Sequence, residues 1–296
     1  MNMISLKRVD RFLRKTPAQR RIAVRFVLTM WLARLNYAPH RVDLNLAAHE
    51  HVKFWWSYFP ANFTADRGMF EYWGEDVGEL RFLWKYLQPG MTFLDLGAFH
   101  GIYSIIAAIR LGDDGRVVAF EPSPRDRRRL KLHLRYNRVS SVIAEPFAVA
   151  AGEGKASLVT VVHGFTNMNS LRPPAIDHPL KKVEVQTISL DEYVNRNKID
   201  RVDLMKVDAE GGEIEIFKGA HSLLTSLRPL VICEVLDKVT RPWGYRARDI
   251  VERLRAYDYG WFDIFSNGDV VPHRPRNEYP DVKNYLAVPR EKQKLL

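Results

Sequence analysis

The sequence has almost no cysteine and no long apolar run. Cys233 is the only cysteine among 296 residues, which excludes an internal disulfide and a cysteine-based metal cluster. We interpret it as a buried core residue. The longest uncharged stretch near the N-terminus, residues 26–33, is far shorter than the ~20 residues that a membrane-spanning helix needs. Since basic residues also recur through the first 25 positions, we expect no signal peptide and a cytoplasmic location.

Acidic residues are scarce in the first 48 positions. Ten lysines and arginines stand there against Asp10 and Asp43, a net charge of +8 out of +10 for the whole chain. Apolar residues such as Phe26, Trp31 and Leu35 are interleaved with them, and we interpret the segment as helical. We favour a helical cap packed on the domain. The alternatives are peripheral membrane contact through residues 1–48 and, least favoured because no RNA-binding motif is present, a nucleic-acid contact.

The remaining sequence alternates between predicted strands and helices. Residues 49–90 are rich in aromatic residues and end in a predicted helix over 75–87, before a Gln-Pro-Gly breaker. Strands are then predicted at 91–94, 116–120, 142–144, 156–162, 183–189, 202–207 and 229–233, helices at 105–111, 124–137, 212–224 and 246–257, and a closing antiparallel pair at 260–265 and 285–288. Such alternation is typical of a parallel sheet with helices on both faces. We expect an N-terminal extension over 1–74 and one α/β domain over 75–296.

A glycine-containing turn follows the first strand of this domain. Residues 95–104 read Asp-Leu-Gly-Ala-Phe-His-Gly-Ile-Tyr-Ser, and such a turn at the carboxyl end of a parallel strand indicates a nucleotide-type ligand. Phe99 stands where a dinucleotide-binding turn has its middle glycine, which disfavours a pyrophosphate. Asp95 could orient an ammonium group, and Glu121, after the second strand, could accept from both ribose hydroxyls. The pattern therefore favours S-adenosylmethionine over NAD.

Four segments together resemble the FkbM-type S-adenosylmethionine-dependent methyltransferases. They are 95–104, the Phe-Glu-Pro-Ser-Pro run at 120–124, 185–193, and 203–213 with its continuation at 217–220. The resemblance covers 75–235, with weaker support to 290. It implies a Rossmann-like class I methyltransferase fold, with a mostly parallel seven-stranded sheet and helices on both faces; the helical N-terminal extension lies outside it. The predicted cofactor-binding residues are Asp95, Gly97, Ala98, Gly101, Tyr103, Glu121, Pro122 and Ala148.

The resemblance also implies methylation of a hydroxyl, often on a sugar or a natural product. An alcohol is a weak nucleophile at neutral pH, so a general base or a metal ion would help the transfer. Lys206, Asp208 and Glu210 are the candidate catalytic residues, with Asp208 or Glu210 as the base. Alternatively, Asp208 and Glu234 hold Mg²⁺. Lys206 shares a sheet face with Asp208, and we favour a charge pair between them over a catalytic lysine.

Other polar residues of the domain have simpler interpretations. We interpret His100 as a partly exposed loop residue rather than a base, and His133 as part of a solvated helix face. The loop over 163–180 is either a cover over the cofactor or a solvated hairpin tip. We expect the acceptor pocket to be built from 49–75, 163–180 and 236–285.

The sequence thus predicts an O-methyltransferase for a sugar, a glycan or lipid-linked glycan, or a small natural product. Two alternatives stay open: an RNA methyltransferase, because of the basic N-terminus, and a non-catalytic cofactor-binding module. The acceptor and the oligomeric state are not predicted.

Overall fold

The structure, a computed structural model, describes Val24 and residues 39–47, 50–59 and 77–296. The strands are β1 (His40–Ala47), β2 (Glu50–Trp56), β3 (Thr92–Leu96), β4 (Arg116–Phe120), β5 (Val142–Glu145), β6 (Ala148–Val149), β7 (Gly154–Val161), β8 (Leu180–Ile188), β9 (Leu204–Val207), β10 (Leu230–Glu234), β11 (Tyr259–Ile264), β12 (Val270–Pro272) and β13 (Asn284–Pro289). The α-helices are α1 (Gly78–Tyr86), α2 (Ile102–Leu111), α3 (Pro124–Tyr136), α4 (Leu190–Arg196), α5 (Glu213–Lys218), α6 (Asp237–Thr240) and α7 (Ala247–Arg255).

The central sheet has the strand order β12-β11-β13-β10-β9-β3-β4-β5. From β10 to β5 all neighbours are parallel, and every residue of β3, β9 and β10 is buried because helices cover both faces. The predicted α/β class is confirmed. The predicted closing pair is also present, as antiparallel β11 and β13. Among the described residues the sheet has eight strands rather than seven, since β12 pairs with the outer edge of β11.

The chain reverses its direction of winding between β3 and β9. Strands β4 and β5 lie on one side of β3, whereas β9 and β10, which come much later in the chain, lie on the other. The carboxyl ends of two adjacent parallel strands therefore diverge into loops on opposite sides of this point. In open α/β sheets such a switch point forms the ligand crevice.

A small second sheet lies beside this crevice. The strands predicted at 156–162 and 183–189 are present as β7 and β8, but they lie outside the central sheet. They pair antiparallel from Gly154↔Thr187 to Val161↔Leu180, and β6 adds in parallel to β8. The connection over residues 162–179, hereafter the β7–β8 loop, returns toward the central sheet. Its Ser170 pairs with Val159 through two backbone hydrogen bonds. The Ser170 hydroxyl also donates to the backbone oxygen of Glu210, which holds the loop against the chain that follows β9.

The N-terminal segment differs from its prediction where the structure describes it. The helix expected over 1–48 is wrong for His40–Ala47, which form β1 and pair antiparallel with β2. Val42, Leu44 and Leu46 are buried while Arg41, Asp43 and Asn45 are exposed, a period of two that fits a strand and not a helix. The expected boundary after residue 74 and most of the basic segment lie outside the described residues. Among the described helices, none is long and apolar enough to cross a membrane.

One predicted helix is shorter than expected. The pattern predicts a helix over 212–224, but α5 ends at Lys218. The helix ends where the chain passes close to the small sheet. At Gly219 a β-carbon would lie 2.3 Å from the carbonyl oxygen of Ala150, so this position has no room for a side chain. A separate π-helical turn covers Leu223–Leu227.

Candidate active site

The turn after β3 depends on glycine at two positions. Gly97 has φ +79°, and a β-carbon on it would lie 1.9 Å from the carbonyl oxygen of Asp208. Only glycine therefore lets the ends of β3 and β9 approach this closely. Gly101 has φ +89°, and a β-carbon there would meet the side chain of Leu130 on α3 at 2.2 Å. The two glycines bring the start of α2 and the residues after β9 around one crevice.

Glu121 is fixed by the same turn. Its Oε2 accepts a hydrogen bond from the backbone N–H of Phe99 and its Oε1 accepts one from Ser123, both at 2.8 Å. Each carboxylate oxygen has two lone pairs, so each retains acceptor capacity. Burial raises the pKa of Glu121 to about 8, and the charge of Asp126 acts in the same direction. The carboxyl group is thus held in one orientation, with capacity left for a ligand.

A cavity, hereafter the central cavity, lies at these strand ends. Six of the predicted site residues line it: Gly97, Glu121, Pro122, Ala148, Asp208 and Glu210. The other predicted residues, Asp95, Ala98, Gly101, Tyr103, Lys206 and Glu234, are not among its lining residues. The lining also includes residues that the sequence did not single out, such as Phe147, Leu158, Glu215 and Trp243. Trp243 belongs to a separate short helix, Arg241–Trp243, that the fold brings to the cavity. No sequence motif therefore indicates it as a site residue.

Asp95 lies beneath the turn. It is buried, and its Oδ2 accepts a hydrogen bond of 2.5 Å from the hydroxyl of Ser104 on α2. Burial raises the pKa of Asp95 to about 6, although Ser104 and the ammonium of Lys206 oppose the shift. Asp95 therefore ties β3 to α2, and its contact with a ligand stays a prediction.

Lys206 and Asp208 form a salt bridge at the end of β9. The Nζ atom of Lys206 lies 2.7 Å from Oδ2 of Asp208, and the lysine side chain is only 2% exposed. Burial lowers the pKa of Lys206, but the carboxylates of Asp208, Glu234 and Asp95 raise it more, and the net shift is upward. The two side chains share a sheet face as expected. Because Lys206 is held in its charged form, the geometry supports a charge pair with Asp208 over a catalytic lysine that accepts a proton.

The turn after Asp208 carries Glu210. Its φ is +50°, and its backbone oxygen accepts hydrogen bonds from Ser170 Oγ at 2.8 Å and Trp243 Nε1 at 3.2 Å. The buried carboxylate of Glu213 closes the turn by accepting from the backbone N–H of Ala209 at 3.0 Å. Burial of Glu210 raises its pKa well above the usual range, and the nearby carboxylates add to the shift. Such a carboxyl is a stronger base than an ordinary glutamate once it is ionised.

The second metal candidate, Glu234, is buried at the end of β10. Its Oε2 has no hydrogen-bond partner among the described residues, and burial together with the charge of Asp208 raises its pKa well above the usual range. Within the described part of the chain, no group of three or more His, Cys, Asp or Glu side chains could hold a metal ion. Since Asp208 already binds the ammonium of Lys206, the pair predicted as Mg²⁺ ligands offers a poor donor set.

The β7–β8 loop covers the central cavity. Asn167, Asn169, Ser170 and Leu171 line it. The side chain of Asn169 donates to Asp126 Oδ2 at 2.9 Å and accepts from the backbone N–H of Val161, also at 2.9 Å. These contacts join the loop both to α3 and to its own hairpin. They support the cofactor cover over the solvated hairpin tip.

Asp126 is a functional candidate that the sequence analysis missed. It is fully buried near the start of α3 and accepts charged hydrogen bonds from Arg125 at 2.9 Å and Arg129 at 3.2 Å. Burial would raise the pKa of Asp126, but His100 and Arg125 lower it well below the usual range. The arginines that follow Pro124 predict a solvent-exposed helix face. Nothing in the local sequence indicates that Asp126, the one aspartate among them, is buried.

The two histidine interpretations are wrong. His100 and His133 are both buried, and burial lowers their pKa values to about 4 and about 3. His100 Nε2 lies 3.3 Å from Asp126 Oδ1, and His133 Nδ1 lies 2.9 Å from the backbone oxygen of His100. Trp56 of β2 stacks on His133 with ring centroids 3.9 Å apart. The β1–β2 hairpin, which the sequence analysis did not predict, removes this face of α3 from solvent.

Comparisons with known proteins give a family match and several similar solved structures. The family described as the methyltransferase FkbM domain matches residues 95–260. No curated protein matches the sequence. An FkbM methyltransferase from Methylobacillus flagellatus KT is similar in structure, with 14% identity over 78% of this chain and 55% of that chain, and a TM-score of 0.43. The chain thus spans about half the length of that relative.

Two further solved structures are similar at the same level. A precorrin-6y C5,15-methyltransferase from Geobacter metallireducens GS-15 has 16% identity over 72% of this chain and 87% of that chain, and a TM-score of 0.41. Fibrillarin from Aeropyrum pernix, with natively bound S-adenosyl-L-methionine, has 15% identity over 68% and 67% of the two chains, and a TM-score of 0.39. The family match covers more than half of the chain and confirms the resemblance read from the sequence. The chain belongs to the FkbM family of S-adenosylmethionine-dependent methyltransferases.

Proposed function

We propose that the protein transfers a methyl group from S-adenosylmethionine to a hydroxyl of a sugar, a glycan or a small natural product. One observation carries the proposal: Asp208 and Glu210 line the same cavity as Gly97 and Glu121. Groups suited to binding a nucleoside and groups suited to deprotonating an alcohol therefore face one space.

The residues present fit S-adenosylmethionine. Glu121 retains acceptor capacity for two vicinal hydroxyls, and the apolar side chains of Phe147 and Leu158 offer a surface for an aromatic base. Phe99 occupies the turn where a phosphate-binding loop would need glycine, so the turn suits a ligand without phosphate. When bound, S-adenosylmethionine supplies a methyl group on a sulfonium, which is a good leaving group.

The chain's own residues then have to position and deprotonate the acceptor. Asp208 is held in place by the ammonium of Lys206, which makes it a well-placed hydrogen-bond acceptor for the hydroxyl. Glu210 has a raised pKa and no such cation bound to it among the described residues, so it is the better proton acceptor. We therefore assign Asp208 to orientation and Glu210 to proton removal as the oxygen–carbon bond forms.

The Mg²⁺ hypothesis is the second candidate mechanism. In our proposal the ammonium of Lys206 supplies the positive charge beside Asp208 that a metal ion would otherwise bring. Methyl transfer should then survive dialysis against EDTA. Loss of activity with EDTA and its recovery with Mg²⁺ would restore the metal hypothesis.

Two measurements test the proposal in sequence. Calorimetry should show binding of S-adenosylmethionine and none of NAD; binding of NAD alone would overturn the assignment of the cavity. A screen of glycans and small metabolites with a radiolabelled methyl donor should then find a labelled acceptor, and the Glu210→Gln variant should label it far more slowly.

A further inference from the structure

Asp126 contacts three segments that surround the cofactor turn. Its Oδ2 accepts a hydrogen bond from the hydroxyl of Ser123 at 2.7 Å and another from the side-chain amide of Asn169 at 2.9 Å. Its Oδ1 lies 3.3 Å from Nε2 of His100. Ser123 follows β4, Asn169 belongs to the β7–β8 loop and His100 to the turn after β3. One fully buried carboxylate therefore joins parts of the chain that are distant in sequence.

Ser123 connects this carboxylate to Glu121. In an ordinary capping box, the carboxylate at the third position of the helix accepts from the backbone N–H of the N-cap residue. Here the N-cap is Ser123, and its backbone N–H donates instead to Oε1 of Glu121 at 2.8 Å. Asp126, at the third position, accepts from the hydroxyl of Ser123. The two carboxylates therefore hold one serine between them, an arrangement that capping of α3 alone does not require.

The second oxygen of Glu121 depends on the turn after β3. It accepts from the backbone N–H of Phe99, whose φ of +50° is a left-handed conformation that is unusual for an aromatic residue. The ring of Phe99 stacks on His100 with ring centroids 3.6 Å apart, and His100 contacts Asp126. Both donors to Glu121 are therefore supported by Asp126, one directly and one through His100.

The charge of Asp126 also acts on Glu121. Arg125 and Arg129 lie 2.9 Å and 3.2 Å from the carboxylate oxygens of Asp126, so this buried group keeps its negative charge. That charge adds to burial in raising the pKa of Glu121 to about 8. Arg127, whose guanidinium donates to the backbone oxygen of Glu121 at 2.8 Å, lowers the same pKa. Removing the charge of Asp126 should therefore lower the pKa of Glu121.

We propose that Asp126 is a positioning residue of the cofactor site, which couples the orientation of Glu121 to the closing of the β7–β8 loop over the cofactor. Asp126 is not among the residues that line the central cavity, whereas Glu121 and Asn169 are, so it acts through them. Because Ser123 and Asn169 donate to the same oxygen, a ligand that orders Glu121 also favours the closed loop. This inference rests on the proposed binding of the cofactor by Glu121 and adds the coupling to it.

The test measures the dissociation constant of S-adenosylmethionine on the full chain, by calorimetry from about pH 6 to about pH 9, the span around the raised pKa of Glu121. The variants are Asp126→Asn, Asn169→Ala and the two combined. Asp249→Asn is the matched control, because Asp249 has the same third position in α7 and accepts from the backbone N–H of the N-cap at 2.9 Å. Circular dichroism checks that each protein is folded.

A second variant keeps the test decisive if Asp126→Asn does not fold. Ser123→Gly removes the hydroxyl that Asp126 accepts from, and glycine is tolerated at an N-cap. It then takes the place of Asp126→Asn in the combination with Asn169→Ala, and the same loss of coupling is expected.

The expected result has three parts. At high pH, where Glu121 is ionised, Asp126→Asn should weaken binding about tenfold, and Asp249→Asn should leave it unchanged. The affinity of Asp126→Asn should also reach its plateau at a lower pH than that of the wild type, a shift that loss of a helix cap would not cause. Asn169→Ala should weaken binding about fivefold in the wild type and less than about twofold when Asp126→Asn is already present.

Two outcomes would overturn the positioning role of Asp126: independent effects of Asp126→Asn and Asn169→Ala that multiply, or an unchanged pH profile of Asp126→Asn. In both cases the wild type still binds S-adenosylmethionine, and the proposed methyl transfer stands. A wild type that binds no S-adenosylmethionine at any pH would contradict the proposed function itself, and this inference with it.

Discussion

The ammonium nitrogen of Lys206 lies 2.7 Å from a carboxylate oxygen of Asp208, directly at the end of β9. Because Lys206 is almost completely buried, this pair satisfies a charge in the centre of the sheet. Asp208 also lies beside Gly97, whose missing side chain leaves room for the Asp208 backbone. Structure and proposed chemistry are therefore coupled at one pair of residues.

Breaking this pair should destabilise the protein. Asp208→Asn leaves the ammonium of Lys206 without its closest counter-charge, and we expect a loss of about 3 kcal/mol in the free energy of unfolding, the lower part of the range for buried pairs because Asp208 is one-third exposed. The double variant Lys206→Met/Asp208→Asn should recover most of this loss in urea denaturation. An Asp208→Asn protein as stable as the wild type would show that the pair does not stabilise the sheet.

Glu210 should control the pH dependence of turnover. As a general base it must be ionised, so kcat should fall as the pH falls through its raised pKa, which lies well above 4.5. Glu210→Gln should lower kcat by roughly 100-fold or more and abolish this acidic limb. The pH–rate profiles of the two proteins decide the point. If Glu210→Gln keeps the acidic limb, another group is the base, and the corresponding Asp208 variant becomes the test.

Glu121 should make the affinity for the cofactor increase as the pH rises. Its pKa is raised from 4.5 to about 8 in the free protein, while ribose hydroxyls donate best to the ionised form. The affinity for S-adenosylmethionine should thus increase as the pH rises toward about 8. Calorimetry from pH 6 to pH 9, approximately the span around that pKa, should show weaker and flatter binding for Glu121→Gln. A wild-type affinity independent of pH would contradict the role of Glu121.

The same raised pKa has a consequence for stability. A carboxyl with a raised pKa in the folded state contributes stability that is complete below its unfolded pKa and is lost as the pH rises through the folded value. For Glu121 this window runs from 4.5 to about 8. In the absence of cofactor, the wild type should therefore lose stability relative to Glu121→Gln across that window.

Gly97 and Gly90 form a matched pair for testing the crevice. Both have positive φ, +79° and +80°, but a β-carbon at Gly90 would meet nothing within 4 Å. Gly90→Ala thus measures backbone strain alone. Gly97→Ala should cost about 1–3 kcal/mol more, since the new methyl group forces the Asp208 backbone to move, and should also weaken cofactor binding. Equal effects of the two substitutions in urea denaturation would mean that the close approach of β3 and β9 is not needed.

Asn169 should hold the β7–β8 loop over the cofactor. Asn169→Ala removes the hydrogen bonds to Asp126 and to the backbone of Val161, and we expect a rise of about fivefold to tenfold in the dissociation constant of S-adenosylmethionine. Asp177→Ala, at an exposed position of the same loop, is the control and should bind normally. Unchanged binding by Asn169→Ala would show that the loop does not cover the cofactor.

The sequence predicts the parts of this molecule that local pattern determines. Apolar runs ending in Asp95, Glu121 and Asp208 mark the buried parallel strands. The structure places all three residues at the carboxyl ends of neighbouring strands. The order of the strands in the sheet does not follow from these runs. The alternation of apolar and polar residues over His40–Ala47 lies within a segment rich in basic residues, and it was interpreted as helical. The hairpin that buries His133 was therefore not predicted.

Contacts between distant segments explain the rest. Asp126 becomes buried only because Asn169, 43 residues later, and His100, 26 residues earlier, meet it in space. Trp243 reaches the backbone of Glu210 across 33 residues for the same reason. The candidate base and the carboxylate proposed to bind ribose are thus visible in the sequence, whereas the contacts that hold the β7–β8 loop over the central cavity are properties of the folded chain.

The most direct test of the account is to identify the atom that receives the methyl group. The protein is incubated with an acceptor from the labelling screen and S-adenosylmethionine carrying a ¹³C methyl, and the product is examined by NMR. The account predicts a labelled methyl ether on a sugar or natural-product hydroxyl, formed by the wild type and strongly reduced in Glu210→Gln. Label on nitrogen or carbon, label in RNA, or a product formed equally by the variant would contradict it.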